Sequence, residues 1–432
     1  MKSATILFPH IKTKLKFKNI NSLFFNLFLI ALFLFRIPSF YLAPTSTSSF
    51  LTSQALARIL FIGIFLYLLA RNYFQNKQIF FKKGKKFLIN IIIAQFIIQS
   101  MTIFIAVNFY SFWTRYKDII LGIASLFIFY FYQHKTKKII KVILFGTFVN
   151  VAYQSLIFFA PSFYTAYLGP LIYKNQSELV LLNLARSRIY IDAYDEIFIP
   201  FILLISFSQK LSKKILSYLF FLIICFFSFI SNWRTRIVML IFSSMSSFYI
   251  YRRYIKSKIV LFLASLLIIS FLINIISVNI LGHSFVDRFI SNGELDVTSI
   301  ESRFNQINNG IDIGSVTILG VGLGNYYNNL PNHQKNFTSI NQLASQQAKI
   351  ATEYIHNNLS LVIAESGYFS FLLFIIILFL FIRSDILILK HGYLYNKGLV
   401  IAFWTLFIYG FFNPPIPGSY QVLFWGIRGL LL

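Results

Sequence analysis

The side chains of this chain best equipped for chemistry are one histidine, one glutamate and five arginines. His356 has an unperturbed pKa near neutrality, so its neutral imidazole can take a proton from a hydroxyl group. Arg186 and Arg188, Arg234 and Arg236, and Arg303 come from three separate regions of the sequence. A guanidinium is permanently charged and binds phosphate oxygens as a planar fork, so three arginines converging on one cavity suit a pyrophosphate. Within each pair the side chains point about 200° apart around a helix, so only one of each can reach a given site. For any single arginine the alternative is snorkelling at the end of an apolar span and pairing with Asp192, Asp195 or Glu196. Cys225 is the only cysteine, which excludes an intrachain disulfide and a cysteine-based metal site. With no HExxH and no Asp-x-Asp in the chain, the expectation is no metal and no cofactor.

A helix beginning near His356 places Glu365 roughly 13–14 Å along its axis, at about 1.5 Å per residue. Asn358 and Glu365 would share a face, whereas His356 and Glu365 would lie on opposite faces, so a direct dyad requires an irregular segment. An acid at that depth is costly and belongs either to a site or to helix packing; both readings of Glu365 stand. Upstream, Gly320-Val-Gly322-Leu-Gly324-Asn325 is a tight turn or a loop offering backbone N–H groups to an anion. Its spacing is not that of a dinucleotide fingerprint. Ile300, Phe304, Ile307 and Ile311 recur at helical spacing with Glu301, Arg303, Asn305 and Asn308 between them. That pattern predicts an amphipathic helix on the membrane surface with Arg303 at head-group height. The Asn- and Gln-rich residues 325–351 form a loop or supply donors and acceptors for a sugar.

The elements that must position these residues are apolar spans. With 57% hydrophobic and 12% charged residues and a mean hydropathy of +0.70, the 432-residue chain is far more apolar than a soluble domain. Apolar runs fall near 21–42, 54–70, 87–109, 118–133, 139–160, 194–208, 215–230, 237–250, 259–280, 359–382, 398–412 and 420–432. They predict an all-α, polytopic helical membrane protein of about twelve transmembrane helices with a large late outer loop. Residues 1–280 then hold spans one to nine with a smaller outer loop at 161–193, residues 281–358 the large loop, and residues 359–432 spans ten to twelve. A net charge of +26 would suggest nucleic acid in a soluble protein, but its distribution says otherwise. With the N-terminus in the cytoplasm, 25 of the 39 basic residues and one acid, Asp385, fall on that side, while the other side holds 13 basic residues and 12 acids. This is the positive-inside bias, so no nucleic acid partner is needed and both termini are cytoplasmic. The first run is long and no small-x-small cleavage site follows it, so it reads as an uncleaved span.

Several of these motifs occur together in one family. Ser231-Asn-Trp-Arg234-Thr-Arg236 at the outer start of a span, Glu301-Ser-Arg303-Phe, the glycine run through Asn325, His356-Asn357-Asn-Leu359, and Glu365-Ser-Gly367 leading into a span resemble the O-antigen ligase and polymerase family. The motifs cover about residues 186–382, and the span layout extends the likeness along the chain. Where the family has Ser-Arg before its eighth span, this sequence has Trp233-Arg234 and a second arginine at 236. The resemblance implies a multi-pass enzyme of the bacterial inner membrane that works on the periplasmic face. Its donor would be an undecaprenyl-pyrophosphate-linked glycan, its acceptor a glycan or lipid A-core, its surroundings membrane lipid, and it would need neither metal nor nucleotide-sugar. The implied site uses His356 as the base, Arg188, Arg234 or Arg236, and Arg303 on the pyrophosphate, with Asn357, Glu365, Gly322 and Gly324 in support.

Two other classes fit the layout. A glycosyltransferase using a lipid-monophosphate sugar would rely on a carboxylate, with Asp192, Asp195 and Glu196 as candidates, and has no use for three arginines. A lipid-linked oligosaccharide flippase would line its interior with charges inside the spans, whereas this sequence places most of them at span ends. The charge sorting predicts that reporter fusions within residues 281–357 read as periplasmic and fusions at 82–86 as cytoplasmic. The reverse pattern would overturn the placement of the site along with the topology.

Overall fold

Long apolar segments in lipid satisfy their backbone polar groups by closing into helices, and the computed structural model of the chain is helical accordingly. It describes residues 9–42, 52–74, 85–172, 194–206, 211–230, 234–255, 294–315, 318–330, 355, 357–413 and 418–432. Helices α1 (Pro9–Arg36), α2 (Ser53–Phe74), α3 (Lys86–Met101), α4 (Phe109–Phe131) and α5 (Thr136–Phe159) come first, and short helical turns follow through residue 171. A 3₁₀ turn at Asp195–Phe198 leads into α6 (Ile199–Ser206), then α7 (Leu211–Ile230) and α8 (Arg234–Ile255). The late loop contributes α9 (Glu294–Ser315) before α10 (Asn358–His391), α11 (Leu394–Phe412) and α12 (Gly418–Leu431). Described helices overlie every apolar run of the sequence except 259–280, which lies outside the described residues. Among the described residues, six helices are long and apolar enough to cross a membrane.

The interior is built from aromatic and small residues. Phe28 of α1 meets Phe61 of α2 and Phe129 of α4 edge-on, with ring centroids 5.7 and 5.0 Å apart, an arrangement favoured by the ring quadrupoles. α12 lies against α4, where Ser125 donates to the Val422 carbonyl at 2.6 Å and Gly429 leaves no side chain between the two backbones. Beside Gly429, Arg428 forks onto Asp385 at 2.7 and 2.6 Å and stacks on Phe403. A buried charge is tolerable only when paired and hydrogen-bonded, and Trp404 supplies a further donor to Asp385 at 2.8 Å.

The span predicted over 359–382 differs from expectation in one respect that matters. α10 starts at Asn358, continues to His391, and is broken at Gly367, whose φ of 74° and ψ of 175° are not helical. A helix that ends leaves its last carbonyls without intrahelical donors. Here the carbonyls of Ala364 and Glu365 accept the N–H groups of Val321 at 2.9 Å and Gly322 at 3.1 Å. The glycine run of the late loop therefore lies across the break. A Cβ at Gly367 would strike the carbonyl of Ile318, besides the cost of about 1–2 kcal/mol for a side chain at positive φ. Gly367→Ala should lower the unfolding free energy of the purified protein by about 2 kcal/mol or more. Gly63→Ala, where a Cβ meets open space, should leave the melting temperature in detergent essentially unchanged; equal stability of the two variants would refute the break.

Candidate functional site

The glycine run ties three parts of the chain together. Gly320, Gly322 and Gly324 all have positive φ, at 72°, 91° and 71°, which makes successive backbone N–H groups point inward. Their acceptors are internal. Besides the two carbonyls of α10, Leu323 donates to Thr102 Oγ1 at 3.3 Å and Gly324 donates to Glu365 Oε1 at 2.9 Å. Of the two readings of this run, a tight turn or an anion-binding loop, the structure therefore supports a turn whose anion is the chain's own Glu365 carboxylate. Glu365 also accepts from Arg115 Nε of α4 at 3.3 Å, and both side chains are buried. Asn325 completes the tie, taking the N–H of Asn108 on its Oδ1 at 2.7 Å and giving Nδ2 to the Asn108 and Leu323 carbonyls at 3.3 and 2.9 Å.

The first part of α10 is held at its start as firmly as at its break. Asn357 caps it, its Oδ1 accepting from the N–H of Leu359 at 2.9 Å and of Ser360 at 3.1 Å. Asn358 donates to the Tyr420 hydroxyl of α12 at 3.1 Å. Ile355 is buried with Tyr326, Leu330, Leu361 and Ala364. Ile355 and Asn357 are the chain neighbours of His356, which lies outside the described residues, as do Arg186, Arg188 and Asp192.

α9 forms where the sequence predicts an amphipathic helix at the membrane surface, and it docks through residues outside the predicted apolar stripe. Phe304 is 62% exposed and Ile311 is also exposed, whereas Gln306, Gly310 and Gly314 are buried. The two glycines lie against Ser360 and Ile363, so α9 and α10 approach as closely as a small-residue face allows. Arg303 shares this docked side through its i, i+3 and i+7 spacing to Gln306 and Gly310 and is half-buried rather than extended toward solvent. Burial, followed by the charge of nearby Arg234, pushes the Arg303 guanidinium below its ordinary pKa. Burial likewise pushes the Tyr326 hydroxyl up to about 12, against the opposing effect of its hydrogen bond with Asn309.

Arg236 has a different environment from Arg234. It is fully buried, with Nε 2.6 Å from Glu196 Oε1 and Nη1 3.2 Å from Gln154 Oε1. Ser228 donates to the same Glu196 oxygen, and Gln154 Nε2 donates to Asp195 at 2.8 Å. Arg36 closes the network through Asp195 and Thr147, each at 3.1 Å. Two cations and two carboxylates from α1, the turn before α6, and α8 are thereby neutralised, with α5 and α7 adding polar partners. The two-residue spacing in Arg234-Thr-Arg236 thus sends one arginine into the bundle and leaves the other half-buried near Arg303.

Sequence reasoning missed Arg115, Thr102 and Asn108. Arg115 sits in the short charged stretch Arg115-Tyr-Lys117-Asp118 between two apolar runs, and the partner it meets is 250 residues away. The described geometry is that of a helical membrane protein in which α9 and the glycine run dock on a broken apolar helix. Residues 218–375 match the family model described as O-antigen ligase, a family of membrane glycosyl-transfer enzymes. No curated protein matches the chain.

Proposed function

We propose that this protein transfers an undecaprenyl-pyrophosphate-linked glycan to a glycan or lipid acceptor at the periplasmic face of the bacterial inner membrane. The observation that carries this reading is the O-antigen ligase match over residues 218–375, with Arg234 and Arg303 half-buried on two separate elements within electrostatic reach of each other. A pyrophosphate matches the fork geometry of guanidinium groups drawn from separate elements. The O-antigen ligase match over residues 218–375 spans both arginines, His356 and Glu365.

In this reaction His356 takes the proton of the acceptor hydroxyl as its oxygen bonds to the donor's anomeric carbon. The bond from that carbon to the pyrophosphate oxygen breaks, and the undecaprenyl pyrophosphate leaves with the bonding electrons. Arg234, Arg303 and Arg188 stabilise the charge on the leaving group. The carboxylate alternative is disfavoured by a specific observation: Asp195 and Glu196 are fully buried and already paired with Arg36 and Arg236. The grouping made by the charge sorting has support as well, since Arg36–Asp195, Arg58–Asp118, Arg115–Glu365 and Arg236–Glu196 each join residues it assigns to one side.

Purified protein should transfer lipid-linked glycan without an energy source. His356→Ala should remain folded and lose transfer, by about 100-fold or more, whereas Glu365→Gln should have the milder defect. The base must be neutral, so wild-type activity should fall as pH drops through the imidazole pKa, and that acid limb should vanish from the residual rate of His356→Ala. Near-normal transfer by His356→Ala would eliminate the proposed base.

A further inference from the structure

We infer that Arg115 is a positioning residue for this site, acting through Glu365 on the glycine run and the first part of α10. The kinetic part of the inference rests on the function proposed above; the structural part does not. Glu365 is the joint: one carboxylate oxygen takes the N–H of Gly324 and the other takes Arg115 Nε. α4 consequently grips the glycine run at two points, through the backbone of Asn108 on Asn325 and through the side chain of Arg115 by way of Glu365. The two grips are seven positions apart, one at the N-cap of α4 and the other about two helical turns further on. Between them Gly324 rests on the Ser111 carbonyl, where no side chain would fit.

Arg115 also borders a cavity shared with the start of α10. Its Nη1 is buried without a hydrogen-bond partner among the described residues, and Arg115 lines a mainly apolar cavity whose other polar residues are Gln95, Gln99, Asn358, Tyr420 and Gln421. One guanidinium thus contacts Glu365 at the break of α10 and shares a cavity with Asn358 at its start. A buried ion pair is weak as a source of stability, because desolvation offsets most of its attraction. Placement is what this pair supplies. It fixes the segment 357–366 relative to α4, and α9 with Arg303 is docked on that same segment through Gly310 and Gly314. A shift of about 1 Å in such a segment can cost on the order of 100-fold in rate.

The test uses the full-length protein in nanodiscs, with Arg115→Gln, Glu365→Gln, the double variant, and Arg115→Lys as the variant that keeps the charge. Amide hydrogen exchange at residues 320–325 should speed up in both single glutamine variants while α11 and α12 stay protected. For the folded protein, kcat should fall by about 10- to 100-fold, with KM for the lipid-linked donor within about threefold of wild type. The double variant should recover part of the lost kcat, because two amides leave no unpaired buried charge. Arg115→Lys should lie between wild type and Arg115→Gln in exchange and in kcat. Wild-type exchange at 320–325 in both singles, a normal kcat with only the folded yield reduced, or no recovery in the double variant would each overturn the inference. A rise in KM as large as the fall in kcat would also overturn it, by making Arg115 a donor contact. If the wild-type protein transfers no glycan, the function proposed above fails while the exchange measurement still decides the role of Arg115.

Discussion

The interruption of α10 at Gly367 is the constraint on which the arrangement of the site depends. In a membrane protein a broken helix leaves carbonyls that water cannot satisfy, each at a cost of several kcal/mol. The chain answers with Val321 and Gly322, whose N–H groups fill the carbonyls of Ala364 and Glu365. Glycines are required on both sides of that contact, at positive φ and with no Cβ between the backbones. Once this contact exists, the late loop has a fixed register on the bundle, and α9 can be carried back over the first part of α10. The position of Arg303 is thus a consequence of a backbone hydrogen-bonding requirement some distance away in sequence.

Electrostatics is organised around the same end of the bundle. Arg36 and Arg236 are spent on Asp195 and Glu196, and Arg115 on Glu365. Each pairing brings together elements that are remote in sequence, and truncating one partner of such a pair costs roughly 3–5 kcal/mol because the other charge is left buried. Arg234 and Arg303 are half-buried and within electrostatic reach of each other. Permanent charges in that setting suit a ligand with several phosphate oxygens better than a neutral sugar.

Much of this was legible from the residues. Apolar runs long enough to be helices are helices wherever the structure describes them, because hydropathy over about twenty residues integrates a strong signal. The helical period of Ile300, Phe304, Ile307 and Ile311 located α9, although which face docks was not readable, since small residues such as Gly310 and Gly314 contribute little to a hydrophobic pattern while deciding how closely helices approach. The motif Glu365-Ser-Gly367 marked the right place without revealing the break, as a glycine in a span is compatible with a straight helix. The partner of Glu365 was invisible because nothing local links Arg115 to a carboxylate 250 positions later. The glycine run was ambiguous for a related reason: its inward N–H groups suit any acceptor, and only tertiary structure shows that the acceptor is internal.

The claim that Arg234 and Arg303 together receive a lipid pyrophosphate is tested most directly by donor binding in the absence of acceptor. Native mass spectrometry of the purified protein with undecaprenyl pyrophosphate, titrated against undecaprenyl monophosphate, would read it without any catalytic step. The account predicts a preference for the pyrophosphate that weakens about 30-fold or more in Arg303→Gln and in Arg234→Gln, with melting temperatures unchanged. Equal affinity for the two lipids, or pyrophosphate binding unaffected by both substitutions, would contradict it.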